Sequence, residues 1–309
     1  MSLIELIKSN GPSGFGYGST AEQVTDKVSL AGKTILVTGV NSGLGLEAMR
    51  VLALRGAHVI ATARTEQKAK EAAASVTGGR VTGVACELSD PKSVNACVET
   101  VKRLGVKLDA IICNAGIMAL PKLEKAFGYE LQFFTNHIGH FILVTGLIDS
   151  LTEEGRVVML SSEAHKRAPK AGIEFDNLSG DLGYSPWAAY GQSKFANILF
   201  AKELARRFKG SKRTANAVHP GVIRTNLSRS MNPIAGLAFM IASPLVLKNT
   251  AQGAATEVYV AVNPGVAQVS GEYFSDNNVA KPRADAEDAE MAKRLWATSE
   301  EIVRKVTSA

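Results

Sequence analysis

The sequence predicts a single three-layer α/β/α domain built on a doubly wound parallel sheet. Three observations lead there. Short, continuous apolar runs rich in β-branched residues recur along the chain, as strands buried on both faces require. Helix-period stretches separate them, long enough to carry parallel crossovers. A glycine-rich turn joins the first run to the first helix.

The elements follow in order. Residues 1–30 form an arm, and GPSGFGYGST (11–20) is rich in turn formers. Ser19 with Glu22, or Thr20 with Gln23, has capping-box spacing for a short helix. KTILVT (33–38) is the first strand, followed by a helix over 44–55. AHVIATA (57–63) and RVTGVAC (80–86) are the second and third strands, with a polar helix over 65–76 between them. Asp90 before Pro91 supplies an N-cap and a first-turn proline for a helix reaching Leu104. LDAIIC (108–113) is the fourth strand. A long helix is expected within 125–151, a fifth strand at RVVMLS (156–161), a second long helix over 187–208 and a sixth strand at TANAVH (214–219). After Pro220 come an apolar helical stretch (233–247), a helix over 250–262, a short strand near 272–274 and a C-terminal helix with Leu295 and Trp296. No solenoid repeat and no dividing linker is visible, so 31–309 reads as one domain.

Composition narrows the class. The 309 residues are 46% hydrophobic and 21% charged, which excludes wholesale disorder. Cys86, Cys97 and Cys113 form no CxxC pattern, which excludes a disulfide scaffold or a cysteine-rich zinc module and suits a reducing compartment, here the cytoplasm. The formal charge is +6, but no run of five basic residues occurs; the reading is a solvated basic surface without nucleic-acid binding. Residues 1–10 lack the apolar core and cleavage site of a secretory signal. An uncharged stretch at 231–247 is broken by Pro233 and Pro244 and is shorter than the roughly 20 apolar residues of a spanning helix, so no integral membrane segment is expected.

The turn after the first strand reads TGVNSGLG (38–45). Glycines there permit a sharp turn, close approach of backbone to a pyrophosphate and tight helix–strand packing. The helix N-terminus adds free N–H groups and a positive dipole end. Gly39, Ser42, Gly43, Leu44 and Gly45 are therefore candidate dinucleotide contacts in a Rossmann-type fold. The second strand ends Ala61-Thr62-Ala63-Arg64, with no carboxylate for a ribose. Arg64 can hold a 2′-phosphate bidentately, which favours NADP(H). Tyr190 and Lys194 lie four apart in a helical pattern and share a face. A phenol titrates near pH 10, and a fixed ammonium one turn away is expected to lower that value. His137 and His140, spaced i, i+3 on a helix, could bring two metal ligands together, but no Glu or third His accompanies them at a recognised spacing. No metal is expected.

Several pieces now fall in one order: TGVNSGLG, CNAG (113–116), the asparagine of TNHIGHF (135–141), LSS (160–162), YGQSK (190–194) and HPGVIRT (219–225). In these the chain resembles the short-chain dehydrogenases/reductases from about residue 33 to 296. YGQSKFANILF, HPGVIRTNL and GEYFSD (271–276) are most similar to the retinol dehydrogenase and WW-domain oxidoreductase branch. STAEQVT (19–25) is similar to a plastid-envelope relative of plants.

The resemblance implies a catalytic set of Asn136, Ser162, Tyr190 and Lys194. Tyr190 is implied as proton donor in carbonyl reduction or base in alcohol oxidation, with Lys194 lowering its pKa and holding the nicotinamide ribose. Ser162 is implied to bond the substrate oxygen, and Asn136 to hold a water that links Lys194 to solvent. Asn114, Ala115 and Gly116 are implied on the adenosine side, and Pro220, Val222 and Thr225 at the carboxamide end. Glu87-Leu88 stands where the family usually has Asp-Leu, and binding to adenine is still expected. Cys113 replaces the first asparagine of the usual NNAG.

The expected function is NADP(H)-dependent reduction of an aldehyde or ketone, with a lipophilic small molecule as substrate. Oxidation of a retinol- or steroid-like alcohol on the same site is the alternative, and a non-catalytic NADP(H)-sensing scaffold the non-enzyme one. The stretch around 227–247 is expected to wall the substrate pocket as a lid. The two long helices flanking the fifth strand suggest a homodimer.

Overall fold

The structure, a computed structural model, describes residues 8–223 and 247–307. Its apolar runs pair into one sheet. β1 (Thr34–Thr38), β2 (His58–Ala63), β3 (Val81–Ala85), β4 (Leu108–Cys113), β5 (Leu151–Leu160), β6 (Thr214–His219) and β7 (Tyr273–Ser275) are parallel, and β8 (Asn278–Ala280) is antiparallel to β7. The order is β8-β7-β6-β5-β4-β1-β2-β3. Chain direction across the sheet reverses between β1 and β4, the switch point where such sheets open a crevice.

Strand alternation builds two cores. On β1, Leu36 faces one and Ile35 and Val37 face the other. Helices α4 (Pro91–Arg103), α5 (Gly139–Leu147), α6 (Pro186–Arg207) and α8 (Ala289–Thr307) cover the first face. Helices α2 (Gly43–Leu54) and α7 (Ala255–Val262) cover the second. Helix α3 (Glu66–Ala74) packs beside β2 and β3. The three cysteines are free and buried.

The arm packs on the body. Thr20 and Gln23 close the capping box of a short helix, α1 (Ala21–Val24). Asn277 and Asn278 donate to the Gly16 and Phe15 carbonyls at 3.0 Å, and Asn263 donates to the Val24 carbonyl at 2.9 Å.

Four expectations need correction. The long helix does not start at Lys125: Lys125–Ala126 and Tyr129–Glu130 form a hairpin whose two-residue turn puts Phe127 at φ 52°. β5 starts at Leu151, well before Arg156. The helix expected over 250–262 comes as a turn, Thr250–Gly253, and α7. β8 was absent from the expected elements, although Asp276 and Asn277, both at positive φ, supply its turn chemistry. The helix expected at 233–247 and the lid around 227–247 fall almost wholly outside the described residues. Residues 131–150 are long and apolar enough to cross a membrane, but 78% of that window is buried in the fold.

Candidate active site

At the switch point, β1 runs into the glycine turn. A Cβ on Gly45 would sit 2.4 Å from the Gly39 carbonyl oxygen and 2.5 Å from the Asn114 amide nitrogen, so only glycine lets α2 start this close to β1. Gly43 is at φ +62° with open space on its Cβ side. Ser42 is the N-cap of α2 but makes no side-chain cap bond. Its hydroxyl and the first N–H groups of a 12-residue helix are thus available to an anion. Asn114 donates to the Thr38 carbonyl at 2.7 Å, and the Ala115 N–H to the Thr38 hydroxyl at 3.0 Å, which ties the end of β4 to this turn.

The other half of the site stands on β5 and α6. Pro186 opens α6, and Tyr190 and Lys194 project one turn apart on it. Ser161 donates to the Lys194 carbonyl at 2.8 Å, and Lys194 Nζ donates to the Leu160 carbonyl at 3.0 Å. These bonds lock the helix to the strand end that carries Ser162. Lys194 Nζ lies 5.7 Å from the Tyr190 ring centroid. Burial pushes Lys194 down to about 8, while the Glu257 carboxyl pulls it up. Tyr190 departs from the sequence expectation. Burial pushes its phenol up to about 12, because desolvation of a phenolate outweighs the opposing pull of the Ser162 hydroxyl.

Asn136 sits in a π-helical turn, Phe134–Ile138, ahead of α5. Its amide accepts from the Ile117 N–H at 2.8 Å and donates to the Ile117 carbonyl and the Ser193 hydroxyl at 2.9 Å. Asn136 and Lys194 flank Gly116, where a Cβ would meet both. His140 Nδ1 donates to the Asn136 carbonyl at 3.0 Å, which leaves Nε2 to accept from Thr38 at 2.9 Å. His137 pairs with Ser299 at 2.8 Å inside an aromatic cluster. Both histidines are spent on packing.

One cleft of about 970 Å³ joins these pieces. Gly39, Ser42, Leu44, Arg64, Glu87, Leu88, Asn114, Ala115, Gly116, Ser162, Tyr190, Lys194, Pro220 and Val222 all line it. Gly43, Gly45 and Asn136 are not among its lining residues. Thr225 lies outside the described residues. Arg64 is exposed at the mouth and pairs with no carboxylate among the described residues. Glu87 Oε1 accepts from Ser89 at 2.9 Å. The open turn, the uncapped helix start and the unpaired Arg64 fit a phosphorylated dinucleotide.

Sequence reasoning missed the wall beyond Tyr190. Met118, Leu131, Arg167, Trp187 and His219 also line the cleft. Trp187 meets Tyr190 edge to face at 6.1 Å, and the Arg167 guanidinium covers Trp187 at 5.0 Å. The i, i+3 spacing of Trp187 and Tyr190 was the available signal; nothing marks Arg167.

Comparison with known proteins agrees with this geometry. A family model described as short chain dehydrogenase matches residues 33–235. Short-chain dehydrogenase TIC 32 A, chloroplastic, of Brassica napus is 41% identical over 310 residues, covering 96% of each chain. Retinol dehydrogenase 13 of Homo sapiens is 38% identical over 289 residues, covering 90% of this chain and 86% of that one. A crystal structure from Mycobacterium Paratuberculosis gives a TM-score of 0.76 at 34% identity, covering 93% of this chain and 98% of that one. A match that begins at β1 and runs past the HPGVIRT turn, carried by relatives aligned over most of the chain, makes this protein a member of the short-chain dehydrogenase family, oxidoreductases that work with a nicotinamide cofactor.

Proposed function

We propose that the protein reduces a lipophilic aldehyde or ketone to an alcohol with NADP(H). The observation that carries this reading is the arrangement along one cleft: Ser162, Tyr190 and Lys194 at one end, the glycine turn and Arg64 at the other. Ser42 and the first N–H groups of α2 would hold the pyrophosphate, Arg64 the 2′-phosphate, and Lys194 the nicotinamide ribose. The bound cofactor supplies the hydride for the carbonyl carbon.

The protein supplies orientation and a proton. Ser162 and the Tyr190 hydroxyl donate to the substrate oxygen as negative charge develops on it, and Tyr190 gives its proton there. With its phenol raised to about 12, Tyr190 is protonated at neutral pH, the form a donor needs. Met118, Leu131 and Trp187 give the substrate end an apolar wall. The alternative, oxidation of a lipophilic alcohol on the same residues, is supported by relatives named retinol dehydrogenases.

NADPH consumption against a panel of aldehydes and ketones tests the reading. Tyr190→Phe should cut turnover by about a hundredfold or more while NADPH still binds. Arg64→Ala should weaken NADPH about tenfold and leave NADH unaffected, as loss of one charge-assisted contact implies. Equal turnover in Tyr190→Phe, or equal NADPH affinity in Arg64→Ala, would overturn the corresponding assignment.

A further inference from the structure

Glu257 is the one acidic side chain of α7, and it is fully buried. It lies on the stripe of α7 that includes Ala254, Val258 and Ala261, which packs with Ile112, Val158 and Leu160 of the sheet. Neither carboxyl oxygen has a hydrogen-bond partner among the described residues. A carboxyl left so is costly, and nothing in local packing repays it. Among the described residues the one charge acting on it is Lys194, which reaches the end of β5 from α6 and is itself buried. Both groups are buried, no hydrogen bond joins them, and Lys194 alone of the two lines the cleft.

We propose that Glu257 is a positioning residue for the reaction: the charge of its buried carboxylate holds the ammonium beside Tyr190 in its charged form to higher pH. The inference rests on the reading of Lys194 given above. Burial pushes Glu257 up and Lys194 down, each against the pull of the other's charge. Once Glu257 is ionised, its charge favours the ammonium.

The surrounding groups do not supply this charge. Cys113 on β4 has its thiol held protonated by burial. His219 at the end of β6 is pushed down to about 4. His140, facing Lys194, is also pushed down to about 4, by burial and then by the ammonium itself. Arg156 on β5 bonds the Val260 and Asn263 carbonyls at the far end of α7. Glu22 on α1 and Glu47 on α2 pair with Arg50. Asp109 on β4 pairs with Lys33 and Glu154 on β5 with Lys212, both near the opposite strand ends.

The test is the pH dependence of kcat/KM for carbonyl reduction, from about pH 6 to about pH 10, in the native enzyme and in Glu257→Gln. Relative to each enzyme's own plateau, the alkaline limb should move acidward by about one pH unit or more in the variant. Coincident limbs would overturn the proposal. A purely structural role would scale the curve without moving the limb. Glu257→Ser repeats the neutralisation with a smaller side chain should the amide fit poorly. Direct titration of the Lys194 side chain by carbon-13 NMR, assigned with Lys194→Met, needs no turnover. A Lys194 midpoint lowered in both neutral variants supports the inference, and an unmoved one defeats it. Absence of turnover in the native enzyme, by contrast, would defeat the enzymatic reading and leave the NMR result to decide the pair.

Discussion

A methyl group on Gly45 has nowhere to go. Its contacts would be the Gly39 backbone and the Asn114 amide, both fixed by the turn. Gly45→Ala should therefore cost about 1–3 kcal/mol of stability and shift the start of α2, weakening NADPH binding about tenfold. Denaturant unfolding and NADPH titration check this; unchanged values in both would refute it. Glu257 carries a pH signature of its own. Its folded value is raised, from 4.5 to about 8, so the stability it contributes is present below the lower value and lost as pH rises through the upper. Lys194 is lowered, from 10.5 to about 8, and its contribution is present above the first value and lost as pH falls through the second. Glu257→Gln removes the acidic component and also lowers Lys194 further, by loss of the carboxylate's pull. Thermal scans should find the variant more stable than native near about pH 8 and level with it near about pH 4. A lower melting temperature than native at the higher pH would contradict the linkage.

Helix α8 is held by stacking. Trp296 lies parallel to Phe200 of α6 at 5.5 Å, meets Phe141 of α5 at 5.0 Å and carries the Arg207 guanidinium at 3.8 Å. Trp296→Ala should cost about 3–5 kcal/mol and loosen α8 from α6, read by denaturant unfolding. A loss within the scatter of surface substitutions would show that α8 docks by other contacts. The parallel strands and their helices were legible because each strand is a continuous apolar run closed by turn chemistry. The glycine turn and the Tyr190–Lys194 pair were legible because their spacing is local. What stayed hidden depends on distant partners. Phe127 gives no sign of the left-handed backbone that starts its hairpin. The π turn at Asn136 is set by its bonds to Ile117 and Ser193. A lone glutamate in a short helix reads as solvent-facing, and only the sheet beneath α7 reveals Glu257 as buried.

For the molecule as a whole, the arm is part of the folded body. Tyr17 is buried and lies 4.9 Å below the ammonium of Lys248, which pairs with Asp276 at 2.8 Å. Removing residues 1–20 strips these contacts and the cap of α1. The melting temperature should fall by about 5 °C or more, and an unchanged scan would mean the arm is dispensable. The Asn277 and Asn278 bonds to the arm span 261 and 263 residues of sequence. The arm thus waits for a segment synthesised much later. During synthesis Gly11 to Tyr17 cannot complete its docking until the β7–β8 turn emerges, so this sheet edge is sealed late. A chain stalled before the β7–β8 turn would carry most of its sheet and a loose arm.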